Sequence, residues 1–257
     1  MALPFGDRRL FVHPPHGRIG ISAAAGRRAE SSPSASGIEP QDPGTRRRRV
    51  ARIALLVGGD DTGWQASAAK LRQHLDEDGR LAAGCVAGAQ GMSSFDPFSV
   101  AVLLGRPELS RVGRLQLETY CRQGGALVAL GSAGRALPDW PAFAEAVLGG
   151  WDEGPGSNPV LLEVEPAEQS WWHPVLDGVG AFGASGDPRG PVWLARGAEI
   201  LLWGYGGGLR KPLAWAWRPR GGRVFYSLLG RPDDFQLPDF LRLVANAVRW
   251  AAASGPV

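Results

Sequence analysis

Residues 124–134, GGALVALGSAG, decide how this chain is read. Two glycines lead into an apolar run, and Gly131-Ser132-Ala133-Gly134 closes it. A short apolar run between turn formers reads as a buried strand, here ending in a tight turn. In α/β enzymes a nucleophile often stands on such an elbow above the sheet. The stretch therefore poses a choice: Ser132 is either that nucleophile or a small residue that fits a turn. Just upstream, LSRVGRLQLETYCRQ (109–123) predicts a helix with Leu109, Val112, Leu115, Tyr120 and Cys121 to one side. Ser110 is its N-cap and Gly124 its stop.

Moving outward, Val50 to Val57 is rich in aliphatic residues and ends in Gly58-Gly59, as a buried parallel strand should. A helix over 63–77 follows, with Trp64, Ala68, Leu71 and Leu75 on one face. Further strands are expected at 81–86 and 99–105, and a short helix at PAFAEAVLGG (141–150). Strands alternating with helices across short connections predict a doubly wound sheet. From residue 158 the texture changes. PVLLEVE, EILLWG, PLAWAW and GRVFYSLLG read as four strands without helices between most of them, several pairing antiparallel. GYGGGLRK (204–211) lacks the GK[ST] ending of a phosphate-cradling loop and reads as a hairpin loop. LPDFLRLVANAVRWAAA closes the chain as a helix, with Leu237, Phe240, Leu241, Val244, Ala247, Val248 and Ala251 in one apolar stripe and Pro238 in its first turn.

The chain has 257 residues, 44% of them hydrophobic, enough for one sizeable α/β domain. Its net charge of +3 is unevenly placed. Residues 1–49 hold nine arginines against Asp7, Glu30, Glu39 and Asp42, with Pro, Gly and Ser between them. Such a segment is expected to be a disordered, solvated tail, and no nucleic-acid module accompanies its charge. GDRRLFV carries a twin-arginine pair but no apolar run follows, and no run approaches membrane-spanning length. Cys85 and Cys121 lie far apart, in neither a metal-binding nor a disulfide pattern. The expectation is a cytoplasmic protein with no membrane and no nucleic-acid partner.

Ligands of open α/β sheets bind beyond the carboxyl ends of the strands. The residues just past the apolar runs are therefore the candidates: Asp60, Asp61 and Trp64; Arg106; Ser132 and Arg135; Arg231, Asp233 and Asp234; and, in WWHPVLDG, His173. A nucleophile elbow wants glycine two positions before and after its serine; Gly134 is present, but position 130 is Leu. Beyond residue 50 the histidines are His74 and His173, so His173 would have to be the base, in the order Ser132, Asp152, His173. The two histidines beyond residue 50, without a cysteine pair, give no zinc or iron spacing, and no metal or cofactor is expected. Trp171, Trp172, Trp193, Trp203, Trp215 and Trp217 offer either a sugar-stacking wall or core aromatics.

GRVFYSLLGRPDDFQLPDFLRLVANAVRWA (222–251) resembles the trehalose-utilisation, or ThuA-like, domain, and LQLETYCRQGGALVALGSA, FAEAVLGG and HPVLDGV support the resemblance. It covers about residues 50–253. The resemblance implies a flavodoxin-like, class I glutamine amidotransferase-like three-layer sandwich, with a mostly parallel central sheet and extra C-terminal antiparallel strands. It also implies a role in carbohydrate utilisation, with a sugar or sugar derivative bound at the strand ends.

The departures from the family pattern are as informative as the matches. Where the family places a histidine at the end of the fourth strand, this chain has Gly131; where it has Leu-Gly-His after the late strand, this chain has Leu229-Gly230-Arg231. The acidic segment expected after His173 is reduced to Asp187 in SGDPRGP. Imidazole is the side chain best suited to proton transfer near neutral pH. Its replacement by glycine and guanidinium leaves recognition without that chemistry. Three readings stay open: a sugar-binding domain using Asp60, Trp64, Ser132, Arg135, His173, Asp187, Arg231 and Asp233; a non-catalytic scaffold or regulatory module, with homo-oligomerisation open; and a serine hydrolase using Ser132. Glutamine amidotransfer is excluded, because neither cysteine stands at the elbow.

Overall fold

The apolar runs become strands because each is too short and too uniformly apolar to leave one face in water. In the computed structural model β1 (Ala51–Val57) and β3 (Val100–Leu104) are buried on both faces at their centres, as is β4 (Ala126–Leu130). Coordinates are described for residues 50–58, 62–77, 79, 81–87, 94–105, 107–131, 133, 159–186, 194, 197–219 and 222–253. All belong to one unit, Thr45–Val257. The expected tail at 1–49, the helix at 141–150, and Asp60, Asp61, Arg106, Ser132, Arg135, Asp152, Asp187 and Trp193 lie outside them.

The described elements are β1, α1 (Thr62–Asp76), β2 (Leu81–Ala87), β3, α2 (Arg111–Arg122), β4, β5 (Val160–Pro166), β6 (Phe182–Gly186), β7 (Glu199–Gly206), β8 (Leu209–Trp217), β9 (Val224–Ser227) and α3 (Pro238–Ala252). The strands form one sheet in the order β2-β1-β3-β4-β9-β8-β7-β5-β6. From β2 to β9 all pairings are parallel, and from β9 to β6 all are antiparallel. The expectation of a mostly parallel sheet is thus corrected: the two modes divide the sheet evenly. The reason is in the connections. A parallel return needs a crossover, usually a helix, whereas the β7–β8 link is a two-residue hairpin at Gly207-Gly208 (φ 59° and 77°) and can only reverse the chain.

Helices cover both faces. α1 and α3 pack with Ile53, Leu55, Val102, Val128 and Phe225 on one side, whereas Leu117, Tyr120 and Cys121 of α2 pack with Ala54, Leu56, Leu103 and Leu127 on the other. Period-two alternation along each strand separates these two cores. In α2, Ser110 caps as expected, its hydroxyl accepting from Gly113 N at 3.1 Å. The predicted apolar side of α2 needs correction, for Val112 and Leu115 are 61% and 63% exposed. The helix is turned so that Gly113, Leu117, Tyr120 and Cys121 face inward, at steps of four, three and one. The Tyr120 hydroxyl fixes this turn by bonding both the N and the O of Ala126. β6 is a strand the sequence did not announce: FGASG has two glycines and only two apolar side chains, and it is held as an edge by β5. Trp215 and Trp217 prove to be core, whereas Trp171 and Trp172 are exposed.

Candidate strand-end site

Adjacent parallel strands end at one level, so the sheet order brings the ends of β4 and β9 together. Gly131 follows β4 with φ of 62°, and Gly230 follows β9 with φ of 132°. Gly131 N donates to Leu229 O at 2.9 Å, and the Tyr226 hydroxyl donates to Gly131 O at 2.6 Å. A Cβ on Gly131 would lie 3.2 Å from the Gly230 carbonyl oxygen, and one on Gly230 would lie 2.8 Å from Leu130 Cβ. Both positions combine left-handed backbone with close approach, which suits glycine alone.

Past Gly230 the chain is shaped by Asp234. Its Oδ2 accepts from Gly230 N at 2.7 Å and from Arg231 N at 2.9 Å, and Leu229 N is bonded by the Ser227 hydroxyl at 3.1 Å. Burial pushes the Asp234 carboxyl above the ordinary aspartate range, against the pull of these two N–H groups and of Arg231. Arg231 and Asp233 are exposed at the head of the 3₁₀ turn Pro232–Gln236. Of the two neighbouring acids, Asp234 therefore builds the turn and Asp233 faces water. The acid three residues beyond Arg231, reaching back to the N–H groups before a turn, was the readable signal for that role.

Trp64 joins the same end of the sheet. It sits in the first turn of α1, half-buried, and a Cβ on Gly105 would fall 2.9 Å from its ring and 3.2 Å from Gly58 O. Gly58 and Gly105 close β1 and β3, and Gly58 N donates to Leu104 O at 2.9 Å. Lys70 Nζ reaches Gln236 Oε1 at 2.7 Å, tying α1 to the turn after Arg231. The structure thus gathers Trp64, Gly131, Arg231 and Asp233 along one rim of strand ends.

His173 is not among them. It precedes a 3₁₀ turn at Pro174–Leu176, where its Nδ1 accepts from Val175 N at 3.3 Å, and its ring lies 5.1 Å from Trp250 near the end of α3. The charges it feels belong to Glu199, Arg218 and Arg223, which stand at the start of β7, the end of β8 and the start of β9. That is the end of the sheet opposite Gly131 and Arg231, removed by the length of β9, roughly 13 Å at about 3.3 Å per residue. The expectation that His173 shares the strand-end site is corrected accordingly. Its position follows from the reversal of β5, which delivers the following loop to the far end. Burial holds its pKa below the ordinary histidine value, with Arg218 and Arg223 adding to that and Glu199 opposing it.

The strand-end rim offers an exposed guanidinium, a carboxylate and an indole, and among the described residues it contains no imidazole. No group of His, Cys, Asp and Glu among the described residues is arranged to hold a metal ion. Cys121 is buried and its thiol is pushed up to about 12, far from a nucleophilic thiolate. Among the described residues no histidine stands at this end of the sheet, since His173 is a strand length away.

Open α/β sheets place ligands beyond the carboxyl ends of their strands, and here that end carries glycine turns, an arginine and an aromatic. The model of the trehalose utilisation (ThuA) family matches residues 93–251, more than half of the chain, and the chain belongs to that family. Two solved structures described as ThuA-like share the fold. One from Parabacteroides merdae ATCC 43184 has 21% identity and a TM-score of 0.63, covering 80% of this chain and 91% of that one. One from Bacteroides uniformis ATCC 8492 has 18% identity and a TM-score of 0.60, covering 83% and 95%. A β-galactosidase from Bacillus circulans sp. alkalophilus matches at 19% identity and a TM-score of 0.52 over 78% of this chain, but over only 31% of its own. Comparison with curated proteins gives no match. No described helix is long and apolar enough to cross a membrane.

Proposed function

We propose that this ThuA-family domain, with the sheet of the class I glutamine amidotransferase-like group, binds a polyol or a carboxylated sugar at its strand ends, without proton-transfer chemistry. The observation that carries the reading is the backbone contact of Gly131 with Gly230. It sets Arg231 beside the end of β4 and puts the Cβ of any side chain at 131, where the family resemblance places an imidazole, 3.2 Å from the Gly230 carbonyl oxygen on a left-handed backbone. Arg231 supplies a fork of donors for a carboxylate or a pair of hydroxyls, and Trp64 supplies an apolar face for the C–H side of a sugar. Asp60, Ser132, Arg135, Asp187 and Asp233 complete the proposed ligand set, with no metal or cofactor.

The experiment is a thermal-shift screen of the full chain with trehalose, glucose, myo-inositol and gluconate. A ligand bound only by the native state raises the melting temperature, by an amount that grows with concentration over Kd. A shift in the wild type that disappears in Arg231→Ala supports the reading. No shift with any of the four at 20-mM-scale concentrations, roughly the millimolar affinity limit, overturns it.

A further inference from the structure

A second cluster stands at the opposite end of the sheet. Its centre is Trp250, 5% exposed, whose indole N–H is buried with no acceptor among the described residues. The guanidinium of Arg223 lies 5.2 Å from the centre of that ring and the guanidinium of Arg218 lies 5.9 Å from it. The His173 ring is 5.1 Å from that of Trp250, and the largely exposed Trp172 ring is 6.1 Å from that of His173. Because His173 Nδ1 accepts from Val175 N, its neutral ring carries the proton on Nε2 and offers a second donor.

The charges here are unbalanced. Arg218 and Arg223 border a turn whose sequence, RPRGGR (218–223), holds three arginines, and no acid occurs anywhere from residue 200 to 232. Neither Arg218 nor Arg223 forms an ion pair among the described residues. Arg223 is partly engaged, donating to Trp250 O at the end of α3, where a cation offsets the helix dipole. Among the described residues Arg218 is engaged only by its place over the Trp250 ring. Glu199 is the acid that acts on His173, and its Oε1 is buried with no partner among the described residues. Two guanidinium groups over the Trp250 ring, the indole N–H of that ring and the His173 imidazole 5.1 Å from it put donors in one cluster, and Glu199 Oε1, an orphaned acceptor, acts on the same His173. Buried polar groups of native proteins are nearly always satisfied, so orphans on both sides of the ledger call for a bound partner.

We propose that this end of the sheet is a second binding site, for the phosphate group of a phosphorylated sugar. The phosphate oxygens are held by Arg218, Arg223 and the Trp250 N–H. A sugar hydroxyl donates to Glu199 Oε1, and Trp172 supplies a face for the ring carbons. A phosphate accepts several charge-assisted bonds at once, which suits paired guanidinium groups better than a neutral ligand would. The site is separate from the strand-end rim and does not rest on the function proposed for it.

The test is isothermal titration of the full chain with glucose 6-phosphate, inorganic phosphate and glucose. The variants are Arg218→Glu, Trp172→Ala and, as a charge control on the exposed face of α1, Arg72→Ala. Arg218 and Trp172 are exposed, so neither variant threatens the fold. Glucose 6-phosphate is expected to bind best, with inorganic phosphate at least tenfold weaker and glucose weaker still. Arg218→Glu should abolish phosphate binding, Trp172→Ala should weaken glucose 6-phosphate at least threefold while sparing inorganic phosphate, and Arg72→Ala should change nothing. No heat with glucose 6-phosphate, or binding kept in Arg218→Glu, would overturn the proposal. Equal affinity for inorganic phosphate and glucose 6-phosphate would overturn the sugar part of it.

Discussion

Gly131 and Gly230 meet backbone to backbone where β4 and β9 end, each occupying the space a side chain of the other would need. A histidine at position 131 is therefore a structural change as well as a chemical one. Left-handed backbone costs a non-glycine residue about 1–2 kcal/mol, and the Gly230 carbonyl must also give way by a few tenths of an ångström. Gly131→His should lose about 1–3 kcal/mol in urea unfolding, and Gly131→Ala nearly as much. Wild-type stability in either variant would show that the two turns are not in contact.

Asp234 and Asp233 are neighbours with different work. Asp234→Ala leaves the N–H groups of Gly230 and Arg231 buried or half-buried without their acceptor, at about 1–3 kcal/mol each for a fully buried group. Asp233→Ala removes an exposed carboxylate and should stay within about 0.5 kcal/mol of wild type. Denaturant midpoints of the two variants check this, and equal losses would contradict the assignment of the clamp to Asp234.

His173 predicts an acid limit to stability. Its folded-state pKa lies below the ordinary value of about 6.5, so in the window beneath that value the unfolded chain binds the proton first. Stability from this group is complete above pH 6.5 or so and declines as pH falls towards the lower folded-state pKa. His173→Asn, which keeps an acceptor for Val175 N, should flatten that part of the curve while leaving the neutral-pH value little changed. Melting temperatures from pH 8 to about 5 decide it. An unchanged slope in the variant would place the titration elsewhere, with carboxylates as the remaining source.

What was legible in the sequence was whatever periodicity could carry. β1, β3 and β4 were readable because buried parallel strands are apolar throughout, and α3 because Pro238 and a regular apolar stripe mark its start and its face. The rotation of α2 was not, since Val112 and Leu115 carry the same apolar signal as the buried Leu117; only the Tyr120 hydroxyl on Ala126 distinguishes them. β6 escaped because its stability comes from pairing with β5 rather than from its own residues. At the strand ends, Arg231 and Trp64 stand where their places after apolar runs predict. The displacement of His173 was invisible, because which end of the sheet a loop occupies depends on strand direction, and the direction of β5 is set by its neighbours.

The most direct measurement is isothermal titration of gluconate into the wild-type chain and into Arg231→Ala. Saturable binding to the wild type, weakened at least tenfold in the variant (about 1.4 kcal/mol), is the predicted result. Identical titration curves for the two proteins would contradict recognition at the strand ends by Arg231.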